Sequence, residues 1–150
     1  MKLQIVPFKN LTPGQLYKIL KLRYEVFVKE QQCIYDEFDG HDLHAIHLFM
    51  EENNEIHAYC RVFKISEETA VLGRVIVDLQ HRARGLGKEI VRNGIEYIRS
   101  NWKGMEIKIS AQIYLKKFYA DFGFKQTSDV YDDAGILHID MILDNTKREA

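Results

Sequence analysis

The sequence predicts an α+β fold, a mixed sheet flanked by helices, and three observations carry that prediction. Apolar residues alternate with period two in several short runs. They recur at helical spacing in two longer ones. Val75-Ile76-Val77 forms the unbroken apolar run of a central strand. The order that results is strand, helix, three strands, helix, strand, helix, two strands.

Residues 2–8 read as the first strand, with Leu3, Ile5 and Pro7 marking one side. Thr12-Pro13 starts a helix, the threonine as N-cap and the proline in the first turn. Leu16, Ile19, Leu20, Arg23 and Phe27 share one face, and the helix should run to about Gln31. Segment 33–42 is irregular and acidic, with Asp36, Glu37, Asp39 and Asp42 around Gly40. Residues 43–51 and 56–65 then read as a hairpin joined by Glu52-Asn53-Asn54-Glu55. Ile56, Ala58, Cys60 and Val62 alternate with His57, Tyr59, Arg61 and Phe63, which makes Cys60 a core residue.

A third strand of this group spans Ala70 to Asp78. After Arg84-Gly85-Leu86-Gly87 a long helix carries Leu86, Ile90, Val91, Gly94 and Ile98, and Trp102-Lys103-Gly104 ends it. Met105 to Ala111 alternates again. A short helix then holds Leu115, Phe118, Tyr119 and Phe122 before Gly123. Strands at 124–131 and 136–143 are joined by Asp132-Asp133-Ala134-Gly135, and 144–150 is expected to be a flexible tail. One domain over 1–150 is expected from the length, which buries about two thirds of the unfolded chain's surface.

Composition narrows the function classes. The chain is 46% hydrophobic and 29% charged with 2 prolines, which excludes a disordered or fibrous protein. No run of 18 apolar residues exists, so no membrane span is expected. Lys and Arg total 21 against 22 Asp and Glu, a balance that argues against a nucleic-acid or anionic-lipid partner. Cys33 and Cys60 form no CxxC pair, and no signal-peptide pattern opens the chain, so a reduced, cytoplasmic protein is expected.

The most informative stretch is Arg82-Ala83-Arg84-Gly85-Leu86-Gly87-Lys88, between a buried strand and a helix. Glycines let backbone amides approach a ligand, and a helix start offers unpaired N–H groups and a positive dipole end. Arg82, Arg84 and Lys88 add charge at an end where cations are normally disfavoured, which points to an anion such as a phosphate or pyrophosphate. A glycine turn with solvated arginines is the alternative. A P-loop fits poorly, because Glu89 follows Lys88, and a dinucleotide fingerprint fits poorly, because Ile90 stands where its third glycine belongs.

The Arg-x-x-Gly-x-Gly pattern of Arg82 to Gly87 resembles the acetyl-coenzyme A signature of the GNAT N-acetyltransferase superfamily. The run Leu115-Lys116-Lys117-Phe118-Tyr119-Ala120-Asp121-Phe122-Gly123-Phe124 is similar to that superfamily's second motif. The ElaA-like subgroup is resembled by Leu22-Arg23, Val26 to Gln31, Asp39-Gly40, Asp42, Gly73 to Val77, Ala111-Gln112 and Gly135 to Ile139. The resemblance implies a central, mostly antiparallel mixed sheet splayed at its middle strands, with acetyl-CoA in the split. It implies that the backbone of Val75, Ile76 and Val77 meets the pantetheine arm and that the amides of Arg84 to Lys88, with Arg82 beside them, hold the pyrophosphate. Gln112, where many members carry asparagine, and Phe118 are implied as further coenzyme contacts.

Tyr119 is implied as the catalytic acid, its phenol protonating the departing thiolate; an aromatic core residue beside Phe118 and Phe122 is its structural alternative. Glu30 and the acidic segment 36–42 are candidates for the acceptor side and the general base, against a solvated charge run or proton loss through water. Strand geometry keeps His44 and His47 on opposite faces, so His41, His44 and His47 predict no metal. Neither cysteine shows a sequence environment that would make it an acyl carrier, and His138 reads as structural. The expected activity is acetyl transfer from acetyl-CoA to a primary amine, on a small molecule or a protein lysine or N-terminus, by direct attack in a ternary complex. A non-catalytic acyl-CoA-binding module is the alternative, and whether the chain forms a homodimer is open.

Overall fold

The computed structural model of the protein describes residues 1–31 and 37–144. Cys33, Asp36 and the tail from Asn145 lie outside them. Alternation and turn chemistry produce eight strands among the described residues: β1 (Lys2–Pro7), β2 (Ile46–Glu52), β3 (Glu55–Lys64), β4 (Thr69–Val77), β5 (Glu106–Gln112), β6 (Lys125–Gln126), β7 (Tyr131–Asp133) and β8 (Ile136–Leu143). Three α-helices join them, α1 (Pro13–Arg23), α2 (Leu86–Asn101) and α3 (Lys116–Ala120). The strands form one sheet in the order β1-β2-β3-β4-β5-β8-β6, with β7 also paired to β8. Every pairing is antiparallel except β4 with β5.

Helices cover both faces. Ile90, Val91, Ile95 and Ile98 of α2 pack on Leu48, Cys60, Val62, Leu72 and Ile107, and each fully buried side chain contributes about 1.5–3 kcal/mol. Gly94 lets this helix approach closely, since a Cβ there would stand 2.7 Å from Leu72 Cδ1. On the opposite face Ile19, Leu22 and Val26 meet Phe49, Tyr59 and Ile76. Thr12 starts α1 with a capping box: its Oγ1 accepts from Gln15 N (3.1 Å) and Gln15 Oε1 accepts from Thr12 N (3.0 Å).

Four expectations need correction. The first helix does not continue as α-helix to Gln31: Tyr24–Glu30 widen into a π-helix, closed by Gln31 N donating to Val26 O at 3.0 Å. The strand expected from Leu43 begins at Ile46, because His41–His44 form a 3₁₀ turn entered through left-handed Gly40. Ile5, expected on the covered side of β1, is exposed. The strand expected over 124–131 splits into β6 and β7, because Ser128 Oγ takes the Asp140 N–H (2.9 Å) that a continuous ladder would use.

Two irregularities shape the middle of the sheet. Tyr59 pairs with Ile76 and Arg61 with Gly73, so Cys60 faces two residues, Arg74 and Val75. This is a β-bulge, with Arg74 held at φ 53°, a conformation a branched or long side chain seldom adopts. The parallel pair β4–β5 then joins only Thr69–Val71 to Glu106–Lys108. Beyond Val71 the two strands part, β4 staying with β3 as far as Val77 and β5 with β8 as far as Gln112. No helix among the described residues is long and apolar enough to cross a membrane.

Candidate active site

The parting strands open a cavity of about 780 Å³. Its walls are Leu72–Val77 of β4, Ile109–Gln112 of β5, the π-helix residues Val26, Phe27 and Glu30, and the start of α2. A strand edge without a neighbour presents backbone N–H and C=O groups that need partners. Along β4 those groups look into this cavity.

At the cavity's far end α2 begins. Gly85, left-handed at φ 80°, is its N-cap and offers no side-chain acceptor. Glu89 N donates to Gly85 O (3.1 Å), the first bond of the helical ladder. The amides of Leu86, Gly87 and Lys88 precede it and have no acceptor within the helix. A Cβ at Gly87 would lie 3.7 Å from both Val77 Cγ2 and Phe118 Cζ, so the glycine keeps open the corner where β4, α2 and α3 meet. The result is a groove with a polar strand edge, a donor-rich and cationic end, and an apolar floor. It fits an extended anionic ligand such as a coenzyme A.

The structure brings most of the expected site residues to this one cavity: Val75, Ile76, Val77, Arg82, Gly85, Leu86, Gly87, Lys88, Gln112, Phe118, Tyr119 and Glu30 all line it. Arg84 does not. It is exposed in a turn between left-handed Ala83 and Gly85, and its side chain contributes nothing to the wall.

Arg82 is engaged within the protein. Its guanidinium holds Glu30 bidentately (2.7 and 2.8 Å), and its Nε donates to Val77 O (3.1 Å). The bond from Arg82 holds the Glu30 carboxyl below its ordinary value, which weakens it as a base. Gln112 Nε2 donates to Gln31 Oε1 (3.1 Å), tying β5 to the end of the π-helix across the cavity.

Tyr119 packs as an aromatic core residue and also reaches the cavity. It is buried, with ring contacts to Phe118 (5.0 Å) and Phe124 (6.0 Å), and it still lines the cavity. Burial raises its phenol above the ordinary value, so the hydroxyl keeps its proton at neutral pH. Burial likewise pushes up the Cys60 thiol, which removes it as a thiolate nucleophile. His138 lies on the wall with Nδ1 bonded to Ile136 O (2.8 Å), in keeping with its structural reading.

The described acids of this segment, Glu37, Asp39 and Asp42, are not a solvated charge run. Arg23 binds Asp42 (2.8 Å) and Glu37; Arg61 binds Asp42 (2.8 Å) and Asp39 (2.5 Å); Arg74 pairs with Glu37 (3.4 Å) and Asp39 (3.5 Å). Three guanidinium groups thus meet three carboxylates under the loop. Burial raises the Asp39 and Asp42 carboxyls, but bonds from Arg61 and Arg23 outweigh it and leave both below the ordinary range.

The histidines of that region also separate. His41 and His44 touch each other (3.2 Å), whereas His47 is buried on β2 between Tyr59 Oη (2.6 Å) and the Asp42 carbonyl (3.0 Å). Sequence reasoning missed a different group, His57, Asp78 and His81, whose ligand-type atoms lie within 4.8 Å of one another. Its signal was the β3–β4 pairing, which carries residue 57 to residue 78.

Likeness to known proteins extends along nearly the whole chain. Residues 12–145 match the family model described as acetyltransferase (GNAT) domain. Protein ElaA of Escherichia coli (strain K12) is 38% identical over 136 residues, 88% of this chain and 89% of that protein. The crystal structure of Escherichia coli ElaA aligns with a TM-score of 0.90 at 36% identity, covering 95% of this chain and 99% of that one. An acyl-CoA N-acyltransferase from Pseudomonas aeruginosa aligns equally well, TM-score 0.90 at 33% identity, over 94% and 97% of the two chains. An aminoglycoside 6'-N-acetyltransferase complexed with coenzyme A, 14% identical with a TM-score of 0.69 over 96% and 97%, shares the fold alone. The sheet that opens between β4 and β5 is therefore the family's sheet, and the chain belongs to the GNAT acetyltransferases.

Proposed function

We propose that this protein is an N-acetyltransferase that moves an acetyl group from acetyl-CoA to a primary amine in a ternary complex. One observation carries the reading: the free edge of β4 leads along a single cavity to the unpaired amides around Gly87. A ligand with a polar arm and a diphosphate meets donors over that whole length. That a fold neighbour is complexed with coenzyme A, and that another is named an acyl-CoA N-acyltransferase, supports the choice of ligand.

Bound acetyl-CoA supplies an acyl thioester and, on transfer, a thiolate leaving group. The chain supplies the rest. The backbone of Val75 to Val77 orients the arm, and the amides of Leu86 to Lys88 with the Lys88 ammonium hold the phosphates. Leu86 and Phe118 exclude water from the floor. Tyr119 Oη, neutral because buried, is the acid available at the cavity wall. Glu30, its basicity lowered by Arg82, acts as a fixed charge at the rim, and the amine loses its proton through water.

Calorimetry with acetyl-CoA, followed by a thiol-release screen of small amines and lysine peptides with mass-spectrometric detection of product, tests this. Stoichiometric coenzyme binding with acetylated product is expected. Binding without thiol release for any amine would reduce the protein to a coenzyme-binding module, and absence of binding would reject the reading outright.

A further inference from the structure

His57, Asp78 and His81 form a compact polar cluster that the transfer reaction leaves unused. Asp78 Oδ2 accepts from His57 Nδ1 (2.6 Å), and Asp78 Oδ1 accepts from His81 Nδ1 (2.6 Å) and from the His81 backbone N–H (3.0 Å). The two imidazole rings lie 3.8 Å apart between centroids. Their positions are fixed by backbone, not by long flexible side chains. Asp78 N donates to His57 O (2.9 Å) as the last rung between β3 and β4, and Asp78 caps the 3₁₀ turn that contains His81. One strand position, the residue that follows β4 and the turn it caps therefore bring three ligand-type groups together.

We propose that His57, Asp78 and His81 bind a divalent metal ion of the zinc class. Two imidazoles and one carboxylate are the mixed nitrogen and oxygen set that suits zinc, whereas calcium and magnesium take oxygen alone. Tetrahedral bonds of 2.0–2.2 Å set neighbouring ligand atoms about 3.4 Å apart. The two 2.6 Å hydrogen bonds must therefore open by somewhat under about 1 Å, which a rotation of the Asp78 carboxylate supplies. Each imidazole offers Nδ1 once its proton moves to Nε2. His57 closes the inner side, its side chain 7% exposed, while His81 stands on the wall of the large cavity. Three protein ligands leave a fourth position open on that side. A bound ion would lock the loop from Asp78 to Gly85 between β4 and α2.

The full-length protein, stripped with a chelator and dialysed, is titrated with zinc chloride by calorimetry and with cobalt chloride by visible absorption. One equivalent of zinc and the intense absorption of four-coordinate cobalt are expected. His81→Gln keeps a donor for Asp78 and so keeps the turn, which a melting curve in chelator verifies; it should weaken zinc binding by more than about 10-fold. His57→Gln should do the same. A paired substitution of His41 and His44 by Gln, removing the other close histidine pair, should leave the stoichiometry and affinity unchanged. Absence of stoichiometric uptake, or uptake that His81→Gln leaves intact, would overturn the proposal and leave Asp78 as a hydrogen-bond bridge between two imidazoles.

Discussion

Replacing Asp42 by alanine removes one carboxylate that two buried cations share. Its oxygens accept from Arg23 Nη1 (2.8 Å), Arg23 Nη2 (3.2 Å) and Arg61 Nη1 (2.8 Å). The side chains of Arg23, Arg61 and Asp42 are 1%, 3% and 13% exposed, so solvent screens little of the interaction. Three charge-assisted bonds at about 1.5–3 kcal/mol each give an upper bound, because they share one acceptor group and do not add. The governing cost is that of breaking a buried pair and leaving its cations unpaired, about 3–5 kcal/mol. Arg23 keeps Glu37 and Arg61 keeps Asp39, which places the expectation near the lower end, about 3 kcal/mol. For a chain of this length that lowers the melting temperature by roughly 10 °C. Asp42→Asn, which keeps the shape and one acceptor oxygen, should cost less than the alanine. Urea unfolding followed by circular dichroism measures both. A loss below about 1 kcal/mol for Asp42→Ala would show that the network behaves like a surface ion pair and would refute the argument.

Tyr119→Phe keeps the ring contacts and removes only the hydroxyl; kcat at saturating acetyl-CoA should fall by about 10²–10⁴-fold with the melting temperature nearly unchanged, and a wild-type kcat across a pH series would return Tyr119 to a packing role. Gly87→Val fills the corner between Val77 and Phe118, so coenzyme affinity measured by calorimetry should fall in a chain that still folds; unchanged affinity would contradict the phosphate assignment. Burial holds the His47 imidazole below its ordinary 6.5, so its contribution to stability is complete above that value and is lost as pH falls below it. Asp39 and Asp42, held below their ordinary 3.8, lose theirs at lower pH still. Denaturant titrations from about pH 8 downward should therefore show stability falling in two stages, and His47→Gln should abolish the upper stage alone.

What was legible in the sequence was whatever is encoded within a few residues. Alternation at Ile56 to Phe63 yields β3, and the glycines at 85 and 87 mark the start of α2 and the donor end of the cavity. The pairing of the acidic segment is not legible in the sequence because its partners are remote: Asp42 meets Arg23 from 19 positions away, Asp39 meets Arg61 from 22 and Glu37 meets Arg74 from 37. An arginine on an apolar face, such as Arg23, was the available hint. The π-helix escaped because one hydrogen bond's offset, not residue type, separates it from an α-helix. His57 and His81 come together only through strand pairing followed by the turn that Asp78 caps, which spacing along the chain does not show.

The bulge at Arg74 puts the two halves of β4 out of phase. Before it, Ala70 and Leu72 point toward α2; after it, Val75 and Val77 do, and Ile76 points to α1. Even-numbered positions thus hand the inner face over to odd-numbered ones halfway along a single strand. Deleting Arg74 would remove the extra residue and restore unbroken alternation, with Val75, Ile76 and Val77 keeping the partners and faces they have. Removing Arg74 and Val75 together would instead turn the end of the strand over, driving Ile76 against α2 and swinging Val77 away from Gly87. At this one place the strand can lose a single residue and keep its faces but cannot lose two, the reverse of what holds in an unbroken strand.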